Sequence, residues 1–227
     1  MVALSAWASA PRPADMRWIR VEEASAAAGC RSAALALAGQ LSFPDTRAEQ
    51  LALAVTEAAA NLARHARAGS MLLRAGCEAS GPVIEMVTID AGPGIANLGA
   101  VLRDGTSTAG TLGIGLGAIR RAADFCEIYS RPGHGTTLVA RFAARAAATA
   151  AGSSPGGSWA GLTRPIAGET VCGDSYATRQ RSGGMIAALC DGLGHGQLAA
   201  TASRAALEAV TEEPDAEPAV LLERAHR

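Results

Sequence analysis

The chain has 227 residues, a formal charge of −1, 49% hydrophobic and 18% charged residues. That is enough for one large domain or two small ones with a substantial core. Near-neutral charge argues against a broad electrostatic attraction to nucleic acid or to an anionic membrane. All 20 basic residues are Arg, so a P-loop, which needs Lys after its second Gly, is excluded. The five Cys (30, 77, 126, 172 and 190) are scattered and never in C-x-x-C spacing. Neither a zinc site nor a disulfide framework is expected. No run approaches the ~20 apolar residues that span a bilayer, and no basic region precedes the apolar start, so the expected location is the cytoplasm.

In chain order, Arg17–Val21 reads as a short strand, and the Ala-rich stretch Glu22–Gln40 as a helix ended by Phe43-Pro44. A second helix starts at Asp45-Thr46, with Thr46 and Glu49 at capping-box spacing. Leu51, Val55, Ala58 and Leu62 give it an apolar face running to about Ala66. Met71–Cys77 and Val83–Ile89 read as strands joined by a Ser-Gly-Pro turn. A Gly/Thr/Ser-rich stretch, Ala91–Gly113, precedes a helix at about Leu116–Ala123. Strands near Phe125–Ser130 and Thr136–Phe142 follow, separated by Pro132-Gly133. Ala143–Ser158 holds only small residues and one Arg and reads as a linker, its alanine half alternatively a short helix. Expected domains are therefore 1–142 and 159–227, with a linker at 143–158.

Four features of the first block make chemical sense together. Glu57 and Asn61, four apart, stack on one helix face, and with Arg64 they lie about a quarter-turn from the apolar face. Asp90-Ala91-Gly92-Pro93-Gly94 follows an apolar strand. Its carboxylate can accept from a base amino group, while the glycines let a ring approach. Gly113-Ile114-Gly115-Leu116-Gly117 opens a helix, where backbone amides suit phosphates. Gly135-Thr136-Thr137 enters a strand. Taken singly, each is a solvated helix face, a turn or a flexible loop.

In this order and spacing, over about Thr46–Arg141, they resemble the N, G1 and G2 boxes and the terminal G-T-T of the GHKL ATPase superfamily. The resemblance implies a Bergerat-type α/β sandwich holding ATP. It would make Asn61 the Mg²⁺ ligand and Asp90 the acceptor for the adenine amino group. Thr136 or Thr137 would support Asp90, Gly92 and Gly94 would line the base side, and Gly113, Gly115, Leu116 and Gly117 would wrap the phosphates. Glu57 would be the general base. A sensor histidine kinase is excluded because the first His, His65, is already inside the Glu57 helix. Gyrase-type members are excluded by their Lys. The short lid, with Thr108 through Gly117, resembles the anti-sigma serine kinases of the RsbT and RsbW kind. These phosphorylate Ser or Thr on STAS-domain partners, and a sigma factor or phosphatase is a further implied partner. Arg103 would meet the γ-phosphate, or else be an exposed lid residue. His65 reads as a packed, hydrogen-bonded residue. A binding module that holds ATP without transferring phosphate stays open, as does a homodimer.

In the second block, Gly173-Asp174 and Asp191-Gly192-Leu193-Gly194-His195-Gly196 flank the strand-like Met185–Cys190, and a helix follows at Gln197–Val210. Two Asp at neighbouring strand ends can share hard divalent metals with the Gly192 carbonyl. The set resembles the start of SpoIIE/RsbX-type PPM phosphatases, which use Mn²⁺ or Mg²⁺. That family needs further metal-binding Asp residues, and the only later one here is Asp215. The expectation is an incomplete PPM-type α/β sandwich without phosphatase activity, or, in a longer parent, a phosphatase regulated by the ATP-binding domain.

Overall fold

A computed structural model describes residues 8–9, 16–78, 81–99, 101, 115–145, 161–181, 184–212 and 216–226. It divides into two compact units, Pro11–Ala150 and Met1–Ala10 with Ala151–Arg227.

Alternating apolar residues build the sheet of the first unit. Its strands are β2 (Met16–Arg20), β3 (Ser70–Glu78), β4 (Gly81–Ile89), β5 (Phe125–Arg131) and β6 (Gly135–Ala143). They are ordered β2-β3-β4-β6-β5, with every neighbouring pair antiparallel. Successive side chains point to opposite faces. Met71, Leu73, Ile84, Met86, Leu138, Ala140 and Phe142 thus share one face and join one core with the helices. β4 is central and is buried from Val83 through Thr88. Two helices cover this face, α1 (Ala26–Gln40) and α2 (Asp45–His65), and α3 (Gly115–Ala122) packs beside α2. Leu51, Val55, Ala58 and Leu62 are all buried on α2, the apolar stripe that the 3.6-residue period requires. Ile119, fully buried, ties α3 into the same core.

The second unit contains β1 (Ala8–Ser9), β7 (Ser175–Arg181) and β8 (Gly184–Cys190), ordered β1-β7-β8, with α4 (Gly196–Thr211) and α5 (Pro218–Ala225). Ser203 on α4 bonds Ser175 on β7 at 3.2 Å, so α4 covers the face bearing Ser175 and Ala177. Alternation puts Met185 and Leu189 on the other face, where they are 46% and 83% exposed.

Several expectations need correction. Thr46 does not cap α2: the helix begins at Asp45 after Pro44, and no side chain closes the cap. Proline fixes the entry dihedral and Asp45 supplies the first-turn negative charge. The first unit begins after the N-terminal residues, because Ala8 and Ser9 pair with Thr178 and Ala177 of β7. The linker cannot start at Ala143, since Ala143 ends β6 and Ala144 is buried with its amide on the Pro82 carbonyl at 2.9 Å. Residues 146–158 of that segment lie outside the described residues. Asp215 lies outside the described residues; α5 begins after Glu217, with Pro218 in its first turn. Among the described residues, no helix is long and apolar enough to cross a membrane.

Candidate nucleotide site

The Glu57 helix and the glycine-led helix meet side by side. A methyl group added at Gly115, the first residue of α3, would stand 3.1 Å from Nδ2 and 3.4 Å from Oδ1 of Asn61, and 3.3 Å from Oε2 of Glu57. Both side chains are half-buried and converge on that helix start. A carboxylate and an amide oxygen beside the N-terminal turn of a helix offer hard oxygen donors next to a phosphate-favouring dipole. Leu116 packs against the core and Gly117 lies against the Arg121 guanidinium. Gly113 and Arg103 lie outside the described residues.

At the end of β4, Asp90 is fixed from several sides. Its amide donates to the Thr136 carbonyl at 3.0 Å, and its Oδ1 accepts the Gly92 amide at 2.7 Å. That turn leaves Oδ2 to accept from a ligand amino group. Gly92 is buried against the His65 carbonyl, where a Cβ would come within 2.8 Å. Gly94, at φ +69°, lies on the Arg131 carbonyl, and Gly135, at φ +94°, lies on the Asp90 carbonyl. Their Cβ positions would fall 2.2 Å and 2.0 Å from those oxygens. Only glycine fits either place.

These contacts dock the Asp90–Ile95 turn along the β5–β6 hairpin. Gly133 donates its amide to the Pro93 carbonyl at 2.8 Å, and Ile95 donates its amide to Ser130 Oγ at 2.7 Å. Ser130 Oγ also lies 2.8 Å from Thr136 Oγ1, its cross-strand partner, and 3.2 Å from the Gly135 carbonyl. Of the two threonines, alternation places Thr136 on the helix-covered face with Leu138, Ala140 and Phe142, together with Asp90, and Thr137 on the other face. Thr136 is therefore the one on the side of Asp90, whose amide its backbone carbonyl accepts. The sequence reading did not find Ser130. A serine in an alternating strand carries no signal of its own; its register opposite Thr136 is what gives it a place in the site.

Arg64 and His65 at the end of α2 are exposed, so the imidazole does not pack as expected and Arg64 does not join Glu57 and Asn61 in half-burial.

In the second unit, Ser175 and Cys190 form the last pair of the β7–β8 ladder, so Asp174 and Asp191 stand one step beyond it. Both are exposed. Gly192 is buried, its Cα against the Gly173 carbonyl. His195 Nδ1 lies 2.6 Å from Oε1 of Glu169. Among the described residues no group of three His, Cys, Asp or Glu gathers as a metal site.

An antiparallel sheet covered by helices, with a Glu/Asn helix against a glycine helix start and a fixed Asp at a strand end, is the arrangement of a class of ATPase domains. Residues 19–142 match the histidine kinase-like ATPase domain, and the chain belongs to that family. Within it, the chain is 30% identical over 104 residues to the serine/threonine-protein kinase RsbT of Bacillus subtilis (strain 168). The alignment spans 46% of this chain and 78% of that protein.

Proposed function

We propose that this chain is an ATP- and Mg²⁺-dependent serine/threonine protein kinase of the RsbT kind, acting on a STAS-domain partner. The observation that carries this reading is the convergence of Glu57 and Asn61 on Gly115 at the start of α3. The adenine amino group would bind Asp90 Oδ2, and the phosphates would lie along the glycine helix start. Asn61 would hold Mg²⁺, which neutralises charge on the phosphate oxygens. The partner hydroxyl oxygen bonds to the γ-phosphorus, Glu57 takes the hydroxyl proton, and the bond to the bridging oxygen breaks to release ADP. Arg103 and Gly113 complete the phosphate side in this proposal. Residues 159–227 are proposed as the start of a SpoIIE-like phosphatase domain, with Asp174, Asp191 and the Gly192 carbonyl as part of its metal site.

The test is transfer of labelled γ-phosphate to a co-encoded STAS protein. Glu57→Ala should bind ATP with Mg²⁺ as the wild type does and lose transfer. Transfer that persists in this variant rules out Glu57 as base. Binding without transfer in the wild type would instead establish a partner-binding module.

A further inference from the structure

Ser130 holds two parts of the proposed nucleotide site at once. Its hydroxyl has one proton and two lone pairs. One lone pair accepts the Ile95 amide at 2.7 Å. With the proton on the Gly135 carbonyl at 3.2 Å, the second lone pair takes the Thr136 proton across 2.8 Å. Thr136 then shows only lone pairs to a ligand. With the proton turned to Thr136 Oγ1 instead, the Thr136 proton is free to point at a ligand. Rotation of one hydroxyl therefore decides whether Thr136 meets the base as acceptor or as donor. The edge of adenine beside its amino group is a ring nitrogen, an acceptor, so adenine needs Thr136 as donor, directly or through water.

We propose that Ser130 is a positioning residue for the nucleotide base: it gives its proton to Thr136 when adenine enters, while its grip on the Ile95 amide fixes the chain just beyond Gly94. Ser130 and Thr136 are a cross-strand pair, and Asp90 stands beside Thr136, whose carbonyl accepts its amide. The inference rests on the ATP-binding reading above, and adds to it a residue that touches no reacting atom.

The test measures ATP affinity with Mg²⁺ by calorimetry on the full chain, alongside thermal melting. Losing one such bond corresponds to about a tenfold loss of affinity. Ser130→Ala should weaken ATP by about that factor, and Ser130→Thr, which keeps the hydroxyl, should restore most of it. The part of the loss that runs through Thr136 is already spent in T136V, so adding S130A to T136V should cost less than S130A does alone, the remainder being the lost Ile95 contact. Wild-type affinity in S130A, no recovery in S130T, or losses that multiply in the double variant would each overturn the inference. If S130A does not fold, Ser130→Cys, a near-isosteric weak donor and acceptor, is measured in its place against the same outcomes. A wild-type chain that binds no ATP would overturn the proposed function itself, a result distinct from all of these.

Discussion

Arg47, near the start of α2, forms an ion pair with Asp124, the residue that follows α3 by two positions. Its Nε donates to the Ala143 carbonyl at 3.0 Å and its Nη1 reaches the Ala122 carbonyl at 3.4 Å. Asp124 also accepts the Ala143 amide at 2.8 Å. One guanidinium thereby joins α2, the C-terminal end of α3 and the end of β6. The N-terminal end of α3 abuts Glu57 and Asn61, so the short helix is pinned against α2 at both ends. Arg47→Ala should lower stability by about 1 kcal/mol, since the pair is only partly shielded from water and two carbonyls lose a donor. Arg47→Lys should recover only part of this, because an ammonium cannot reach the Asp124, Ala143, Ala122 and Gln50 oxygens at once. Thermal melting of the two variants checks both statements.

Gly115→Ala should separate stability from function. Alanine favours a helix over glycine by up to about 1 kcal/mol, so the melting temperature should hold or rise. The added methyl crowds Asn61 and Glu57, and ATP binding and phosphotransfer should fall at least about tenfold, because misplacement of that order disrupts aligned groups. Unchanged transfer would show that these two side chains do not act at this helix start.

Asp90→Asn preserves the turn, because an amide oxygen still accepts from Gly92. The group facing the base becomes a donor, opposed to the donor amino group of adenine. Affinity for ATP should drop about 100-fold or more, with the fold intact. An unchanged affinity, measured by calorimetry, would remove Asp90 from the site.

Burial raises the Cys30 thiol above its ordinary value of 9.0. Burial likewise raises Cys126, with the neighbouring Arg120 pulling it partly down and Glu127 adding to the rise. In both, the folded chain holds its proton to higher pH than the unfolded chain. The associated stability is complete below about pH 9 and is lost as pH climbs toward the folded values. Denaturation curves from pH 8 upward should fall less steeply in Cys30→Ala than in the wild type.

The second unit should release no phosphate from a phosphoprotein with Mn²⁺. Asp174 and Asp191 stand at neighbouring positions beyond the ladder end, but among the described residues two carboxylates and a carbonyl leave a Mn²⁺ ion short of ligands. Sustained turnover by this chain would contradict that prediction.

The strands and helices were legible where the pattern was long and local. Leu51, Val55, Ala58 and Leu62 announced α2, and β3 through β6 began and ended within two residues of their expected limits. Elements held by distant partners were not. β1 is two residues long, too short for any period, and it exists through its pairing with β7. The role of Ser130 depends on the β5–β6 register, and that of Arg47 on a contact 77 positions away. For the site, the glycines gave the clearest signal, since Gly94 and Gly135 stand where backbone meets backbone. The choice between Thr136 and Thr137 needed the pleat of β6 to be known.

The stitching of the Asp90–Ile95 turn to the β5–β6 hairpin has a thermodynamic consequence. The amides of Asp90, Gly133 and Ile95 are already bonded within the chain before any nucleotide arrives. The turn that bears Asp90 is therefore ordered during folding, and a ligand bound there would cost the protein little conformational entropy. The placement of the Asp90 carboxylate is thus a property of the folded resting state, and only the Ser130 and Thr136 hydroxyl protons are left to turn.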